Sequence, residues 1–149
     1  MSQLLLAYKA GERPQLARAL GRLLTRHLPE EATAGIDCVI PVPLHERRLV
    51  QRGFNQAEEL ARPLCRSRAL RLDTRSIQRV VATPSQQGLS RSARRSNLHG
   101  AFAAQRDLSG LRVLLLDDVM TTGTTLNELA REVRRAGAAR VAGVALARA

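Results

Sequence analysis

The sequence predicts an α/β fold with a mostly parallel central sheet, and three observations support this prediction. Largely apolar runs at 36–40 and 113–116 lack the alternation of a half-exposed strand, which is typical of strands covered on both faces. The second run is followed by a one-sided helical pattern at 124–136 and then by a third apolar run at 140–146. Residues 112–146 are therefore predicted to form a strand–helix–strand unit with parallel strands.

The first predicted element is an amphipathic helix at residues 14–28. Pro14 suits the first helical turn, where the N–H group that proline lacks would have no helical partner. Leucine and alanine residues recur from Leu16 onward with the three- and four-residue spacing of one helix face. The opposite face carries Arg18, Arg22 and Arg26. The sequence thus predicts a one-sided amphipathic helix.

Residues 36–40 are predicted to form the first buried strand, which leads into a basic loop. Pro41 and Pro43 end the strand and stiffen the loop. Three arginines follow closely: Arg47, Arg48 and Arg52. The next helix is predicted from an apolar face within residues 54–64. Pro63 lies inside that pattern and should kink or end the helix.

Residues 76–81 and 100–105 are predicted to be two further short strands. The intervening segment 82–98 is rich in Gly, Ser, Gln and Arg and has no apolar stripe. Such a composition favours a mobile loop, here with a short helix from Ser90. The length of 149 residues suits a single core, so residues 1–149 are predicted to be one domain.

The stretch 113–125 carries the clearest functional signal in the chain. Asp117 and Asp118 follow the apolar run directly, so both carboxylates are expected where the strand ends, at the edge where open α/β sheets bind ligands. A loop of threonines around one glycine comes next, and Thr125 and Glu128 have the spacing of a capping box. Backbone N–H groups and the positive end of the helix dipole predict a phosphate site at this helix start.

The charge distribution also favours a phosphorylated ligand. The chain has 24 basic and 13 acidic residues, which gives a net charge of +11. Ten arginines but one acid lie between residues 60 and 106, a field that would attract phosphorylated metabolites, nucleotides or nucleic acid. Aromatic residues make up only 2% of the chain, which disfavours a platform for stacking single-stranded bases.

The cysteine pattern and the hydropathy predict a cytoplasmic protein. Cys38 and Cys65 lie far apart at apolar positions, without a CxxC pair, and are interpreted as buried thiols in a reducing compartment. No apolar stretch approaches the ~20 residues of a membrane span. The N-terminus lacks the charged region and the long apolar region of a signal peptide.

Residues 113–125 resemble the ribose 5-phosphate loop of type I phosphoribosyltransferases, and contain neither a Walker A loop nor a GxGxxG fingerprint. The resemblance implies a three-layer α/β/α fold with a mostly parallel sheet. It implies that Asp117 and Asp118 are catalytic and hold the ribose hydroxyls of phosphoribosyl pyrophosphate (PRPP). Mg²⁺ carried by PRPP is the implied cofactor. The 5-phosphate would bind Thr121, Thr122, Gly123, Thr124 and Thr125.

Residues 41–61, PVPLHERRLVQRGFNQAEELA, resemble a segment of the ComF competence-protein family of predicted phosphoribosyltransferases. In type I enzymes the loop after the first core strand binds pyrophosphate, and arginine suits bidentate phosphate contacts. A basic surface loop without a ligand is the structural alternative. The resemblance assigns the pyrophosphate end to Pro43, Leu44, His45, Arg47 and Arg48.

The polar segment before Ala101 and Phe102 also matches the ComF pattern. In type I enzymes a flexible loop in this region closes over PRPP and excludes water. Many ComF proteins carry an N-terminal cysteine-rich zinc module, which this sequence lacks, so no zinc is predicted. The residues implied for the loop are Gln86, Arg91, Arg95 and Asn97.

The resemblance implies a transferase that moves the phosphoribosyl group of PRPP to a nucleobase or an amine. No segment is typical of a hood that would select this acceptor. An alternative is a non-catalytic accessory protein that binds PRPP or a nucleotide and supports competence and DNA uptake. A nucleic-acid or competence partner is compatible with either function, and so is the formation of an oligomer. The structural alternative is a strand ending in two solvated acids before a capped helix.

Overall fold

The structure, a computed structural model, describes residues 14–82 and 99–148. The predicted loop residues from 83 to 98 and the first 13 residues lie outside this described part. The elements in chain order are α1 (Pro14–His27), a 3-10 turn (Glu30–Ala32), β1 (Cys38–Pro41), α2 (Glu46–Arg52), α3 (Gln56–Ser67), β2 (Arg71–Leu72), β3 (Ile77–Arg79), β4 (Phe102–Ala104), β5 (Arg112–Met120), α4 (Thr124–Arg135) and β6 (Arg140–Arg148).

The centre of the fold is a four-stranded parallel sheet with the order β2-β1-β5-β6. β1 pairs with β5 from Cys38↔Val113 to Pro41↔Leu116, and β5 pairs with β6 along its whole length. All four residues of the apolar run 113–116 are buried, because α3 and α4 both pack on β5. The predicted α/β fold with a parallel sheet between helical layers is therefore confirmed.

The helices α1 and α3 pack closely against each other. Leu20 of the predicted apolar face is buried, and so is the neighbouring Ala17, whereas Leu23 of that face is 49% exposed. A Cβ atom at Gly21 would lie 2.5 Å from the carbonyl oxygen of Leu60, so only glycine permits this approach. The Arg18 guanidinium and the largely buried Glu59 carboxylate form an ion pair at 2.5 Å across the same contact.

Pro63 does not end α3, in contrast to one of the two predicted outcomes. The helix continues to Ser67, and the N–H of Arg68 still bonds the carbonyl of Leu64 at 3.0 Å. A proline inside a helix costs about 3 kcal/mol. Tertiary packing offsets this cost, since Leu60 and Leu64 are fully buried and the Pro63 ring lies beside Gly21.

Two short elements, α2 and β2, were not predicted, and two predicted strands form a separate sheet. The predicted loop at 46–52 is the helix α2, which begins after His45 and ends at Gly53 with a left-handed φ of 76°. β2 adds an edge strand to the main sheet. β3 and β4 are shorter than predicted and pair only with each other, antiparallel, within the described residues. Each element is too short for its own periodicity to identify it.

Both cysteines are buried free thiols, as predicted. Burial raises the pKa of the Cys65 thiol to about 11 and also raises the pKa of the Cys38 thiol, so neither is an activated nucleophile. Among the helices of the described residues, none has the length and apolar character to cross a membrane.

Candidate functional site

The C-terminal ends of β1 and β5 open into a cavity of about 310 Å³. Its walls are the segment after β1, the helix α2, the start of α3, the end of β3 and residues 117–125. Open α/β sheets bind ligands outside the carboxyl ends of their strands. The cavity therefore occupies the edge of the sheet at which the sequence predicts a ligand.

The acid pair was predicted at the end of the strand, but it lies inside β5, which continues for two further residues to Met120. β1 stops pairing at Leu116, whereas β6 continues to pair with β5 as far as Met120. The long β6 keeps residues 117–120 extended after β1 has ended. Asp117 and Asp118 consequently line the cavity from a strand, which holds them more rigidly than a loop would.

Asp117 and Asp118 interact through a hydrogen bond and through their charges. The N–H of Asp118 donates to Oδ1 of Asp117 at 2.8 Å, and the N–H of Val119 donates to Oδ1 of Asp118 at 2.7 Å. Burial, followed by the negative charge of Asp118, raises the pKa of Asp117 to about 7, while the positive charge of Arg79 opposes this rise. Asp117 therefore keeps its proton to a higher pH than an ordinary aspartic acid does.

The threonine loop leads into α4 through a glycine N-cap. Gly123 has a left-handed φ of 74° and no side chain to accept the first helical N–H groups, and the hydroxyls of Thr122 and Thr124 lie 2.7 Å apart. The predicted capping box is wrong, because the helix begins at Thr124 and Glu128 pairs with Arg131 at 2.9 Å. An uncapped helix start suits a phosphate. Residues 117–125 are called the acid–threonine wall.

Three arginines from other elements also line the cavity. Arg48 and Arg52 lie one turn apart on α2, and Arg79 lies at the end of β3. The half-buried Arg79 guanidinium stands 5.8 Å from the centroid of the Phe102 ring. Burial, then the charge of Arg48, lowers the pKa of Arg79, although guanidinium groups stay protonated in proteins. Arg48, Arg52 and Arg79 are called the arginine wall.

Most of the predicted site residues meet at this cavity. Leu44 and Arg48 line it together with members of the acid–threonine wall. Thr122 is not among the lining residues, but its hydroxyl contacts that of Thr124. The members of the acid–threonine wall that were predicted and line the cavity are Asp117, Asp118, Thr121, Gly123, Thr124 and Thr125.

Other predicted residues lie elsewhere or outside the described part. Pro43 and His45 line a neighbouring cavity of about 540 Å³, which shares Leu44, Asn55 and Arg79 with the first. His45 caps α2, where its Nδ1 accepts from the N–H of Arg47 at 3.3 Å. Arg47 is exposed and lines neither cavity. The predicted loop residues Gln86, Arg91, Arg95 and Asn97 lie outside the described residues.

Four polar lining residues had no predicted role in the site: Arg52, Asn55, Gln56 and Arg79. The i, i+4 spacing of Arg48 and Arg52 is a signal, but only once α2 is known to be a helix. Arg79 leaves no local signal, because the pairing of β3 with β4 and their packing bring it to the cavity.

The family model described as "Phosphoribosyl transferase domain" matches residues 13–149. The chain belongs to this phosphoribosyltransferase family. The ComF resemblance is also confirmed, because the domain is similar to "Competence protein F" of Haemophilus influenzae. The two chains are 40% identical over 116 residues, which cover 76% of this domain and 51% of that protein.

A second group of relatives has another name. "DNA utilization protein YhgH" of Escherichia coli strain K12 is 38% identical over 145 residues, which cover 95% of this domain and 64% of that protein. The protein of the same name from Salmonella typhi is 39% identical over 145 residues, which again cover 95% of this domain and 64% of that protein. The chain thus spans less than two thirds of the length of these curated relatives.

Solved structures support the fold of the phosphoribosyltransferase domain. A glutamine PRPP amidotransferase from B. subtilis, complexed with ADP and GMP, has a TM-score of 0.59 at 19% identity, covering 87% of this domain and 26% of that chain. A purine phosphoribosyltransferase from Pyrococcus horikoshii has a TM-score of 0.52 at 21% identity, covering 87% of this domain and 70% of that chain. At these identities the likeness shows the shared fold.

Proposed function

We propose that this domain binds PRPP with Mg²⁺ in the cavity and transfers its phosphoribosyl group to a nitrogen nucleophile, either a nucleobase or an amine. The observation that carries the proposal is the meeting of an uncapped helix start, an acid pair and three arginines in one cavity. PRPP has a phosphate, a hydroxyl-bearing ribose and a diphosphate, and these groups match the three features in chemical type.

The 5-phosphate binds at the start of α4 in this proposal. Gly123 offers only backbone at the N-cap, so the N–H groups of the first turn can donate to phosphate oxygens. The hydroxyls of Thr121, Thr124 and Thr125 supply further donors from side chains that line the cavity. This part of the acid–threonine wall contains no positive side chain, so binding there relies on dipoles and hydrogen bonds.

The acid pair would hold the ribose hydroxyls, and its carboxylate oxygens would be available as ligands for the Mg²⁺ that accompanies the substrate. Mg²⁺ prefers oxygen ligands and is commonly bound through one or two carboxylates together with substrate phosphates. Two adjacent carboxylates fit that pattern, and no group of three metal-ligating side chains occurs among residues 14–82 and 99–148. As the bond from C1 to the diphosphate oxygen breaks, Asp117 and Asp118 offset the positive charge that develops on the sugar.

The diphosphate leaves toward the basic part of the cavity. Arg48 is half-buried and lines the cavity, so its charge stabilises the leaving group more than an exposed charge would. Pro43, Leu44, His45 and Arg47 belong to the same proposed end on the strength of the family resemblance. The loop residues implied by that resemblance would exclude water from the sugar cation.

Thermal unfolding with and without PRPP and Mg²⁺ tests the proposal. PRPP at 100-fold its Kd should stabilise the fold by about 2.7 kcal/mol and raise Tm by several degrees. Asp118→Asn should weaken this shift, whereas Glu31→Gln, an exposed acid of the 3-10 turn, should leave it unchanged. No shift across millimolar PRPP would refute binding.

Once binding is established, release of pyrophosphate with a panel of bases and amines measures turnover.

A second function, a non-catalytic accessory role in DNA uptake, is favoured by the net charge of +11. The relatives are named for competence and for DNA utilization. DNA binding that weakens steeply with salt and persists in Asp117→Asn would support this role. Undetectable DNA binding at low salt would remove its direct form.

A further inference from the structure

The corner between α2 and α3 lines the cavity with polar groups to which the proposed function gives no individual role. This RGFNQ corner comprises residues 52–56, and its Arg52, Asn55 and Gln56 all face the cavity. In the sequence it is one of the two segments that mark the ComF resemblance. A motif placed at the wall of a ligand cavity calls for a role in the ligand's recognition.

The guanidinium of Arg52 is held by a buried amide. Nη1 of Arg52 donates to Oε1 of Gln56 at 2.6 Å. Gln56 is only 4% exposed, whereas Arg52 as a whole is exposed. An exposed arginine normally samples many rotamers, and binding a ligand would restrict them. Because Gln56 is fixed in the core, the hydrogen bond orients Arg52 before any ligand arrives.

The rest of the corner is tied to the central sheet. Nδ2 of Asn55 donates to the carbonyl oxygen of Val42 at 3.0 Å, and the N–H of Val42 donates to the carbonyl oxygen of Leu116 at 2.8 Å. Oδ1 of Asn55 accepts the N–H of Ala57 at 3.0 Å and so caps α3. These contacts connect the corner to β5 immediately before the acid pair. The position of Arg52 relative to Asp117 is thus set by hydrogen bonds rather than by a free loop.

We infer that Arg52, oriented by Gln56, binds the diphosphate of PRPP and lets the cavity discriminate PRPP from ribose 5-phosphate. This inference rests on the proposed function. The part of the acid–threonine wall assigned to the 5-phosphate has no positive side chain, and a ligand with a single phosphate makes all of its phosphate contacts there. A ligand with a second anionic group also contacts the arginine wall, and therefore binds more tightly. Arg52 binds this group, and Gln56 acts on it only through Arg52, as a positioning residue.

Calorimetric titration in the presence of Mg²⁺ with three probes, PRPP, pyrophosphate and ribose 5-phosphate, separates the contributions. Arg52→Ala should weaken the binding of PRPP and pyrophosphate about tenfold, as for loss of a hydrogen bond to a charged group, and leave ribose 5-phosphate within about twofold. Gln56→Met keeps the volume and removes the acceptor, and should weaken only the two diphosphate ligands, by about threefold. Arg22→Ala removes an exposed arginine of α1 and should change none of the three affinities.

The outcomes separate this inference from the proposed function. If the wild-type domain binds neither PRPP nor ribose 5-phosphate, the proposed function and this inference are both overturned. If both ligands bind and Arg52→Ala leaves PRPP affinity intact, the inference alone is wrong. Equal losses for PRPP and ribose 5-phosphate in Gln56→Met would also overturn it, because a residue that merely supports the fold affects both ligands alike. The ratio of the two dissociation constants is therefore the decisive readout.

Discussion

The two walls of the cavity differ in how the chain builds them. The acid–threonine wall is one continuous segment that follows directly on the buried run 113–116 of β5. The arginine wall comes from α2 and β3, and α2 contains no buried residue at all. The difference teaches that the acid–threonine wall is fixed by the core, whereas the α2 part of the arginine wall has no buried residue of its own and depends on a few hydrogen bonds.

The largest effect on the free energy of unfolding is expected for a core residue next to the acid–threonine wall. Leu116→Ala should lower the free energy of unfolding by about 3 kcal/mol, since Leu116 is fully buried next to the acid pair. Leu49→Ala on α2 removes the same atoms from a side chain that is 41% exposed, and should cost less than about 1 kcal/mol. Urea denaturation measures both, and similar losses would contradict the contrast between the walls.

A smaller loss of stability, with a specific loss of binding, is expected at the start of α4. Gly123→Ala places a Cβ at a φ of 74° and should cost about 1 kcal/mol. Gly110→Ala has the same strain at a φ of 76°, in a turn away from the cavity. Calorimetry should show weaker binding of ribose 5-phosphate only in Gly123→Ala. Equal affinities in the two variants would remove the helix start from the phosphate site.

The acid pair should make stability depend on pH. The pKa of Asp117 is raised to about 7, above its unfolded value of 3.8, so the native state binds the extra proton between these values. Unfolding free energy should therefore fall by about 1 kcal/mol as pH rises from 6 to 8. Asp117→Asn should flatten this slope in denaturant titrations at several pH values. An unchanged slope in that variant would assign the dependence to another group.

The smallest effects should distinguish neighbouring arginines on α2. Arg48 is half-buried and lines the cavity, whereas Arg47 is exposed and does not. Arg48→Ala should weaken PRPP binding several-fold, and Arg47→Ala by less than about twofold, because Arg47 lies outside the cavity lining, where solvent screens its charge. Parallel titrations of the two variants provide the comparison. A larger loss in Arg47→Ala would favour the assignment made from the family resemblance alone.

The sequence predicted the acid–threonine wall because its signals are local. Apolar residues, acids, small polar residues and a helical pattern follow one another within residues 113–136, and each signal concerns near neighbours in the chain. The prediction was wrong only about where β5 ends and how α4 is capped. Pairing with β6 extends the strand, and the left-handed Gly123 starts the helix one residue before Thr125. Both corrections depend on contacts or backbone angles that residue type alone does not fix.

The arginine wall could not be predicted as a whole, because tertiary structure assembles it. Arg79 is separated from Arg48 and from Asp117 by some thirty residues or more on either side. The helix α2 has seven residues and no buried face, so it leaves no periodic signal. The hydrogen bond from Arg52 to Gln56 follows from the turn at Gly53, which brings the start of α3 under the end of α2.

A crystal structure of the domain with PRPP and Mg²⁺ is the most direct test of whether the two walls bind one ligand together. The 5-phosphate should lie at the first turn of α4, the ribose hydroxyls at Asp117 and Asp118, and the diphosphate within hydrogen-bond distance of Arg48 and Arg52. PRPP bound outside this cavity, or with its diphosphate at the threonine loop, would contradict the assignment of the walls.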